Sequence, residues 1–340
     1  MRICLYSAYE IYNSEERVFE ASSYKIGFGL EKPAVKLREK IMELGHTLNT
    51  FDKYSIDEFD LFIFLDLPKK NLWLLKQLKK LNKVMYLIIL ESPIINTINL
   101  KTKYHRYFKF IFTYNDSKIS NEKYILSPIP QSFPETSKIE KNFDECKFIT
   151  IIASKRKVNK KKELYSERER IINWFEKKHP GKLDLYGFGW DRYVFNESSM
   201  LRIFNRFKIL SSLYFKTPKS YCGTTPNKLK TLESYKFCIC YENVREVSGY
   251  ITEKLFDCFF SKCIPIYLGS NIEDYIDEGC YIDMRKFKNY EELYQYVENI
   301  TKLEYHKYID CIEAYLRSSK ARMFTATAFA NRIIEKIEKE

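Results

Sequence analysis

From Tyr235 to Asp274 the chain reads YKFCICYENVREVSGYITEKLFDCFFSKCIPIYLGSNIED, and this stretch gathers side chains suited to chemistry on a charged ligand. Glu242, Asn243, Arg245, Glu246, Tyr250, Thr252, Glu253 and Lys254 lie between two apolar runs of strand length, Lys236 to Tyr241 and Cys263 to Leu268. Ile251, Leu255, Cys258 and Phe259 recur at helical spacing, which predicts a helix over 250–260. Strand, loop, helix, strand is the βαβ unit of a parallel sheet. Ligands of such sheets sit beyond the carboxyl ends of the strands, where these polar residues fall. A helix N-terminus favours anions, because its first N–H groups lack intrahelical partners and its dipole end is positive. Lys254 adds a full charge there, so the unit suits a phosphate, with Glu253 placed to accept hydrogen bonds from sugar hydroxyls. A capped helix with a solvated charged face is the alternative reading of the same residues.

The order and spacing carry a resemblance. Phe237, Tyr241-Glu242-Asn243, Gly249-Tyr250-Ile251-Thr252-Glu253-Lys254-Leu255 and Ile264-Pro265-Ile266-Tyr267-Leu268-Gly269 resemble the signature block of the α-1,3-fucosyltransferases, glycosyltransferase family 10. Upstream, Glu91-Ser92-Pro93 follows the apolar run Val84 to Leu90 and is similar to the family's E-S-P triplet, whose glutamate is its proposed catalytic base. Phe112 to Ser117 resembles the family's W-T-x-x-Y-R-x-D-S segment, departing at Phe112 and Asn115. A strand-end serine, a helical arginine, a D-x-Y-G string and a Y-x-G…K approach find counterparts in Ser154, Arg168, Asp184 with Tyr186-Gly187, and Tyr221, Gly223 and Lys228. Arg168 is preferred to Arg170 because it sets Ile171, Ile172 and Phe175 on the family's apolar positions.

The resemblance, which runs from about residue 84 to 270, implies the two-Rossmann-like-domain architecture of GT-B glycosyltransferases, an α/β fold with the domains facing a cleft. It implies GDP-fucose as donor, an N-acetylglucosamine-containing glycan as acceptor, and inversion at the anomeric carbon in one in-line displacement. Glu91 would take the proton from the acceptor hydroxyl, Glu242 and Glu253 being rival candidates. Arg168 and Lys254 would hold the diphosphate and stabilise the charge growing on it. Ser154, Lys228, Asn243 and Tyr250 would complete the donor site, and Glu253 would bind ribose hydroxyls. The chain has no D-x-D motif, so the sequence requires no metal; Mn or Mg would act only as a non-essential stimulant.

Composition bounds the rivals. The 340 residues exceed the usual single core, so two domains are expected: residues 1–140 on the acceptor side, 147–320 for the nucleotide sugar, and a final helix in 321–340. The segment 118–146, with Pro128, Pro130 and Pro134, reads as the connection between them. Nine cysteines without a C-x-x-C pair read as buried reduced thiols, and four scattered histidines form no metal motif. A net charge of +12, densest in KRKVNKKK at 155–162, comes without a nucleic-acid motif, which leaves solvated lysines or a loose attraction to an anionic membrane surface. No apolar run reaches the length of a membrane helix and the start reads as a strand, so a cytoplasmic enzyme of bacterial or viral type is expected. Sequons at Asn115, Asn196 and Asn299 fit chance occurrence. Two rivals stay open: a transferase of this fold using another nucleotide sugar, and a non-catalytic basic protein binding nucleic acid or acidic glycan.

The remaining elements alternate. Strands are expected at 2–8, 46–51, 61–65, 84–90, 148–153 and 183–186, and helices at 33–45, 72–81, 164–178, 290–300, 305–316 and 321–336.

Overall fold

The computed structural model describes residues 1–23, 29–119, 122–134, 139–191 and 216–340. Gly27 and the Asn196 sequon lie outside the described residues. Two compact units are present: Met1–Phe133 with Val247–Ile251 and Ser319–Glu340, and Pro134–Glu246 with Thr252–Ser318. Among the described residues, no helix is long and apolar enough to cross a membrane.

The first unit holds a six-stranded parallel sheet of β1 (Arg2–Ser7), β2 (Thr47–Asn49), β3 (Leu61–Leu65), β4 (Val84–Ile89), β5 (Phe110–Thr113) and β6 (Tyr124–Leu126), in the order β2-β1-β3-β4-β5-β6. Near-continuous apolar strands such as LFIFL in β3 are what a sheet buried on both faces demands. Its helices include α1 (Lys32–Glu43), with a proline in the first turn, and α2 (Trp73–Lys80). The strand β6 falls inside the segment expected to be only a connection. It is three residues long, half-buried and without alternation, so periodicity could not separate it from a loop.

The second unit holds a five-stranded parallel sheet of β7 (Lys147–Ile152), β8 (Leu183–Tyr186), β9 (Tyr235–Tyr241), β10 (Ile264–Leu268) and β11 (Ile282–Asp283), in the order β8-β7-β9-β10-β11. Around it are α3 (Tyr165–Lys178), α4 (Lys228–Glu233), α5 (Glu253–Phe260), α6 (Tyr290–Glu298) and α7 (Lys302–Arg317). In each sheet the second strand of its unit stands outside the first and the third on the first's other side. Strand order therefore reverses between β1 and β3, and again between β7 and β9. Crevices open at such reversals, beyond the carboxyl ends of the strands.

Lys141 pins the base of the second unit. Its Nζ donates to the carbonyls of Leu232 (3.3 Å), Tyr235 (2.5 Å), Ser261 (3.2 Å) and Lys262 (3.0 Å). A cation placed where α4 and α5 end meets carbonyls left without intrahelical donors and the negative ends of both dipoles.

The last helix, α8 (Ala326–Ile337), buries Phe329, Ala330, Ile333 and Ile337 in the core of the first unit, among Leu37 and Ile41 of α1 and Ile3 and Leu5 of β1. Tyr86 Oη donates to Lys336 O at 3.0 Å and to the Glu340 carboxylate at 2.5 Å, fixing the chain end over β4. Six of the nine cysteines are buried and none forms a disulfide. Cys222 and Cys311 are exposed and Cys146 is half-buried, so the expectation of buried reduced thiols holds for most of the cysteines and not for these three.

Candidate active site

The strand β9 delivers Glu242 and Asn243 at its carboxyl end, and α5 begins with Glu253 and Lys254. The helix starts later than its apolar periodicity suggests. Thr252 is the N-cap, extended at φ −110° and ψ −179°, and its Oγ1 accepts from Lys254 N at 3.4 Å. Tyr250 is therefore not on the helix. It belongs to the segment Val247–Ile251 of the first unit, where its ring packs on Tyr114 at 5.2 Å between centroids. Gly249 makes that path possible. Its φ is +68°, and a Cβ there would overlap the Tyr114 carbonyl, which excludes other side chains on both counts. Ser248 Oγ donates to the Asp116 carboxylate in the same segment.

The expected anion site at unpaired helix N–H groups is also revised, since that end is already engaged. Glu242 is fully buried and accepts from Thr252 N and Thr252 Oγ1, both at 2.9 Å. Lys254 Nζ lies 3.3 Å from the same carboxylate and 3.0 Å from Thr252 Oγ1. A buried carboxylate at this place needs such donors, because desolvation is otherwise costly. Glu242 is thus a foundation for Lys254 rather than an accessible base.

Arg168, on the buried face of α3, donates to Tyr241 O at 2.5 Å and to Asn243 Oδ1 at 3.2 Å. Arg170, by contrast, is exposed and pairs with Glu167. Lys228, at the start of α4, pairs with Asp257 at 2.5 Å and stands 4.0 Å from Glu253. Burial works to strip the proton from Lys228, but Asp257 and Glu253 overcome it and hold the ammonium well above its ordinary value. Lys254 follows the same logic, burial being outweighed by Glu242 and Glu253, so its value too is raised. Burial pushes Glu253 up, yet Lys254 and Lys228 win and hold its carboxyl low, at about 2.

These cations converge. A small cavity of about 20 Å³ lies where strand order reverses between β7 and β9, and its walls include Ala153, Arg168, Lys228, Tyr241, Lys254 and Cys258. Among the described residues no carboxylate lines it; Glu242 and Asp257 brace Lys254 and Lys228 from outside the lining, and Glu253 lies near both. The second unit therefore presents three cations to one cavity at a strand-order reversal, an arrangement suited to a diphosphate. Among the described residues, no group of three or more His, Cys, Asp and Glu side chains is placed to hold a metal ion.

Of the expected donor residues, Arg168, Lys228, Asn243, Glu253 and Lys254 are brought together in the second unit. Asn243 touches Arg168 and is not itself in the cavity wall. Ser154 follows β7 next to the lining residue Ala153, whose carbonyl accepts from Trp190 Nε1 at 2.6 Å. Gly187, at φ +136°, lets the loop after β8 come against that same carbonyl, which a Cβ would overlap. Asp184 instead accepts from Lys147 Nζ at 2.9 Å and Tyr235 Oη at 2.6 Å, a network away from the cavity.

In the first unit Glu91 stands two residues past β4, half-buried and held at three points. Its N donates to Asp66 Oδ1 at 3.1 Å, its O accepts from Tyr114 Oη at 3.2 Å, and Oε1 accepts from Tyr9 Oη at 2.5 Å. The partners Asp66, Tyr9 and Asp257 went unnoticed in the sequence. Asp257 could have been found, since it follows Glu253 by four residues and so shares its helix face. Nothing local marks Asp66 or Tyr9.

The model of glycosyltransferase family 10 (fucosyltransferase), C-terminal part, matches residues 147–333, more than half of the chain. A 73-residue segment is 38% identical to the alpha-(1,3)-fucosyltransferase FucT of Helicobacter pylori, covering 21% of this chain and 15% of that protein. Another, of 86 residues, is 37% identical to the alpha-(1,4)-fucosyltransferase of Arabidopsis thaliana, covering 24% and 21%. The matches thus span about a fifth or less of those relatives' length. The fold is similar to a crystal structure of an alpha1,3-fucosyltransferase at TM-score 0.55, with 16% identity, over 100% of this chain and 90% of that one. It is also similar to an alpha-glucosyltransferase solved with UDP and a DNA 13-mer, at TM-score 0.54 and 11% identity, over 100% of both chains. The two parallel sheets are those of the GT-B architecture, an α/β fold with two Rossmann-like domains.

Proposed function

The chain belongs to glycosyltransferase family 10, the fucosyltransferase family, and from that membership we propose that it is an inverting transferase moving fucose from GDP-fucose to a hydroxyl of an N-acetylglucosamine-containing glycan. The observation that carries this reading is the cavity of the second unit, lined by Arg168, Lys228 and Lys254 and, among the described residues, by no carboxylate. Those cations bind the diphosphate, and they stabilise the charge that grows on it as the bond to C1 of fucose breaks. The carboxylates behind keep the lysines protonated and oriented. Glu253, ionised and partly exposed, accepts from ribose hydroxyls. Ser154, Asn243 and Tyr250 are assigned to donor binding on the resemblance of their motifs, Asn243 acting through Arg168.

Glu91 is the general base. Its side chain takes the proton from the attacking acceptor hydroxyl, which general-base catalysis makes worth roughly 10²–10⁴-fold. With cations in place for the diphosphate, no metal is assigned. The surplus of basic residues, +12 net, fits a loose attraction to anionic membrane surfaces and a cytoplasmic enzyme.

The test is incubation with GDP-fucose and a panel of oligosaccharides, reading product mass and linkage, with UDP-glucose and CMP-linked sugar as competing donors. Transfer of fucose alone supports the proposal, and transfer only from a UDP or CMP donor overturns it. The same assay after chelation reads metal dependence.

A further inference from the structure

The first unit carries a second cavity, of about 210 Å³, with Tyr6, Tyr9, Glu10, Lys69, Lys70 and Asn71 among its walls. It lies at the carboxyl ends of β1 and β3, between which strand order reverses in this unit. The second unit's cation-lined cavity stands at the equivalent reversal between β7 and β9. Two units with the same strand order thus each open a cavity at the place where such sheets take ligands.

The lining differs from that of the second unit in a way that specifies the ligand. Tyr9 is 42% exposed and Tyr6 is buried, so aromatic surface meets the space from one wall. Asn71 Nδ2 donates to Tyr6 Oη at 3.1 Å, and Lys69 Nζ stands 5.8 Å from the Tyr9 ring centre. Glu10, Lys69 and Lys70 put one carboxylate and two ammonium groups at the rim, which makes the lining mixed rather than an anion trap. Flat rings with hydrogen-bonding groups of both kinds suit a pyranose, which has an apolar C–H face and a girdle of hydroxyls.

The tie to chemistry is Tyr9, whose ring lines this cavity and whose hydroxyl donates to Glu91 Oε1 at 2.5 Å. Among the described residues no hydrogen bond engages Glu91 Oε2, which leaves that oxygen to receive a proton. We propose, resting on the transferase reading above, that this cavity is a sugar subsite for the acceptor and that Tyr9 is a positioning residue joining it to Glu91, one side chain setting both the acceptor ring and the base.

Two variants of Tyr9 separate the roles. Tyr9→Phe keeps the ring and removes the hydrogen bond, so kcat falls about tenfold while acceptor KM stays near wild type. Tyr9→Ala removes the wall as well, so acceptor KM also rises about tenfold, and Asn71→Ala raises KM alone. Binding of N-acetyllactosamine without donor, read by saturation-transfer difference NMR, should persist in Tyr9→Phe and be lost in Tyr9→Ala and Asn71→Ala. GDP affinity and melting temperature, unchanged in all three, show that the variants fold. The NMR measurement needs no turnover, so it stands even if GDP-fucose is the wrong donor. Equal glycan binding by wild type, Tyr9→Ala and Asn71→Ala, or none by wild type, overturns the subsite. Full turnover in Tyr9→Phe overturns the coupling.

Discussion

The carboxylate of Asp66 holds Glu91 by its backbone: a single oxygen, Oδ1, accepts from Glu91 N at 3.1 Å, from Leu90 N at 3.0 Å and from Asn99 Nδ2 at 2.6 Å. Asp66 is buried and left-handed at φ +61°, a conformation that suits Asp or Asn at a strand end. The turn that presents the proposed base is thus set by a neighbouring acid.

Asp66 should make stability depend on pH. Burial, with the Glu91 charge adding to it, pushes its carboxyl up to about 7, although the three N–H donors pull the other way. The folded state then binds the proton more tightly than the unfolded chain. The contribution is present below the unfolded value and is lost as pH rises through about 7. Asp66→Asn keeps the acceptor and never ionises. The wild type should lose on the order of 4 kcal/mol relative to it between pH 4 and 8, an upper bound. Denaturant melts of both proteins at pH 5 and pH 8 check this; a constant gap would show that Asp66 does not titrate there.

Lys254→Ala should weaken GDP binding and lower the melting temperature together, because it removes a cation from the cavity and leaves Glu242 buried without one. Loss of a charge-assisted contact costs about 1.5–3 kcal/mol, roughly tenfold to over a hundredfold in affinity. Titration calorimetry with GDP reads the first effect and thermal unfolding the second. Unchanged affinity would place Lys254 outside the donor site.

Arg168→Lys should cost affinity as well. The guanidinium spans Tyr241 O and Asn243 Oδ1 through one nitrogen, and a lysine cannot reproduce that fork. The same titration applies, with Arg170→Lys as the control: Arg170 pairs with Glu167 on the surface and should be neutral.

Glu91→Gln should lower turnover by about 10²–10⁴-fold and leave GDP affinity unchanged, since glutamine keeps the shape but takes no proton. Single-turnover assays with saturating donor and acceptor measure it beside Glu242→Gln and Glu253→Gln. A nearly active Glu91→Gln variant would remove the assignment.

Lys141→Met should destabilise the protein by about 2 kcal/mol without touching the cavity, because four carbonyls at the ends of α4 and α5 lose a charged donor. Urea unfolding gives the magnitude, and an unchanged midpoint would mean that water replaces the ammonium at no cost.

The signature stretch was legible because its strands are short, apolar and bounded by polar residues and glycine, so period and composition agreed. Glu253 and Lys254 could be placed together for the same reason, being adjacent on one helix turn. Arg168 with Asn243 was a different matter. They are 75 positions apart, and only the pairing of β7 with β9 brings α3 over the end of β9. Tyr250 was misplaced because the apolar spacing continues past the cap, and neither a threonine cap nor a left-handed glycine registers in periodicity. In the sequence Glu242 stood as a rival base and Asp257 went unnoticed, whereas burial makes them the cations' supports.

The first unit takes part of its core from α8, which ends at Ile337, and its sheet begins at Arg2. Synthesis therefore delivers the two ends of one hydrophobic core at opposite times. At about 5–20 residues per second, α1 and β1 wait tens of seconds on the ribosome for Phe329, Ala330 and Ile333 to arrive. The second unit's sheet is fully translated within that interval. The unit that starts first is thus the last to close, and its uncovered apolar face is the one most dependent on chaperones during translation.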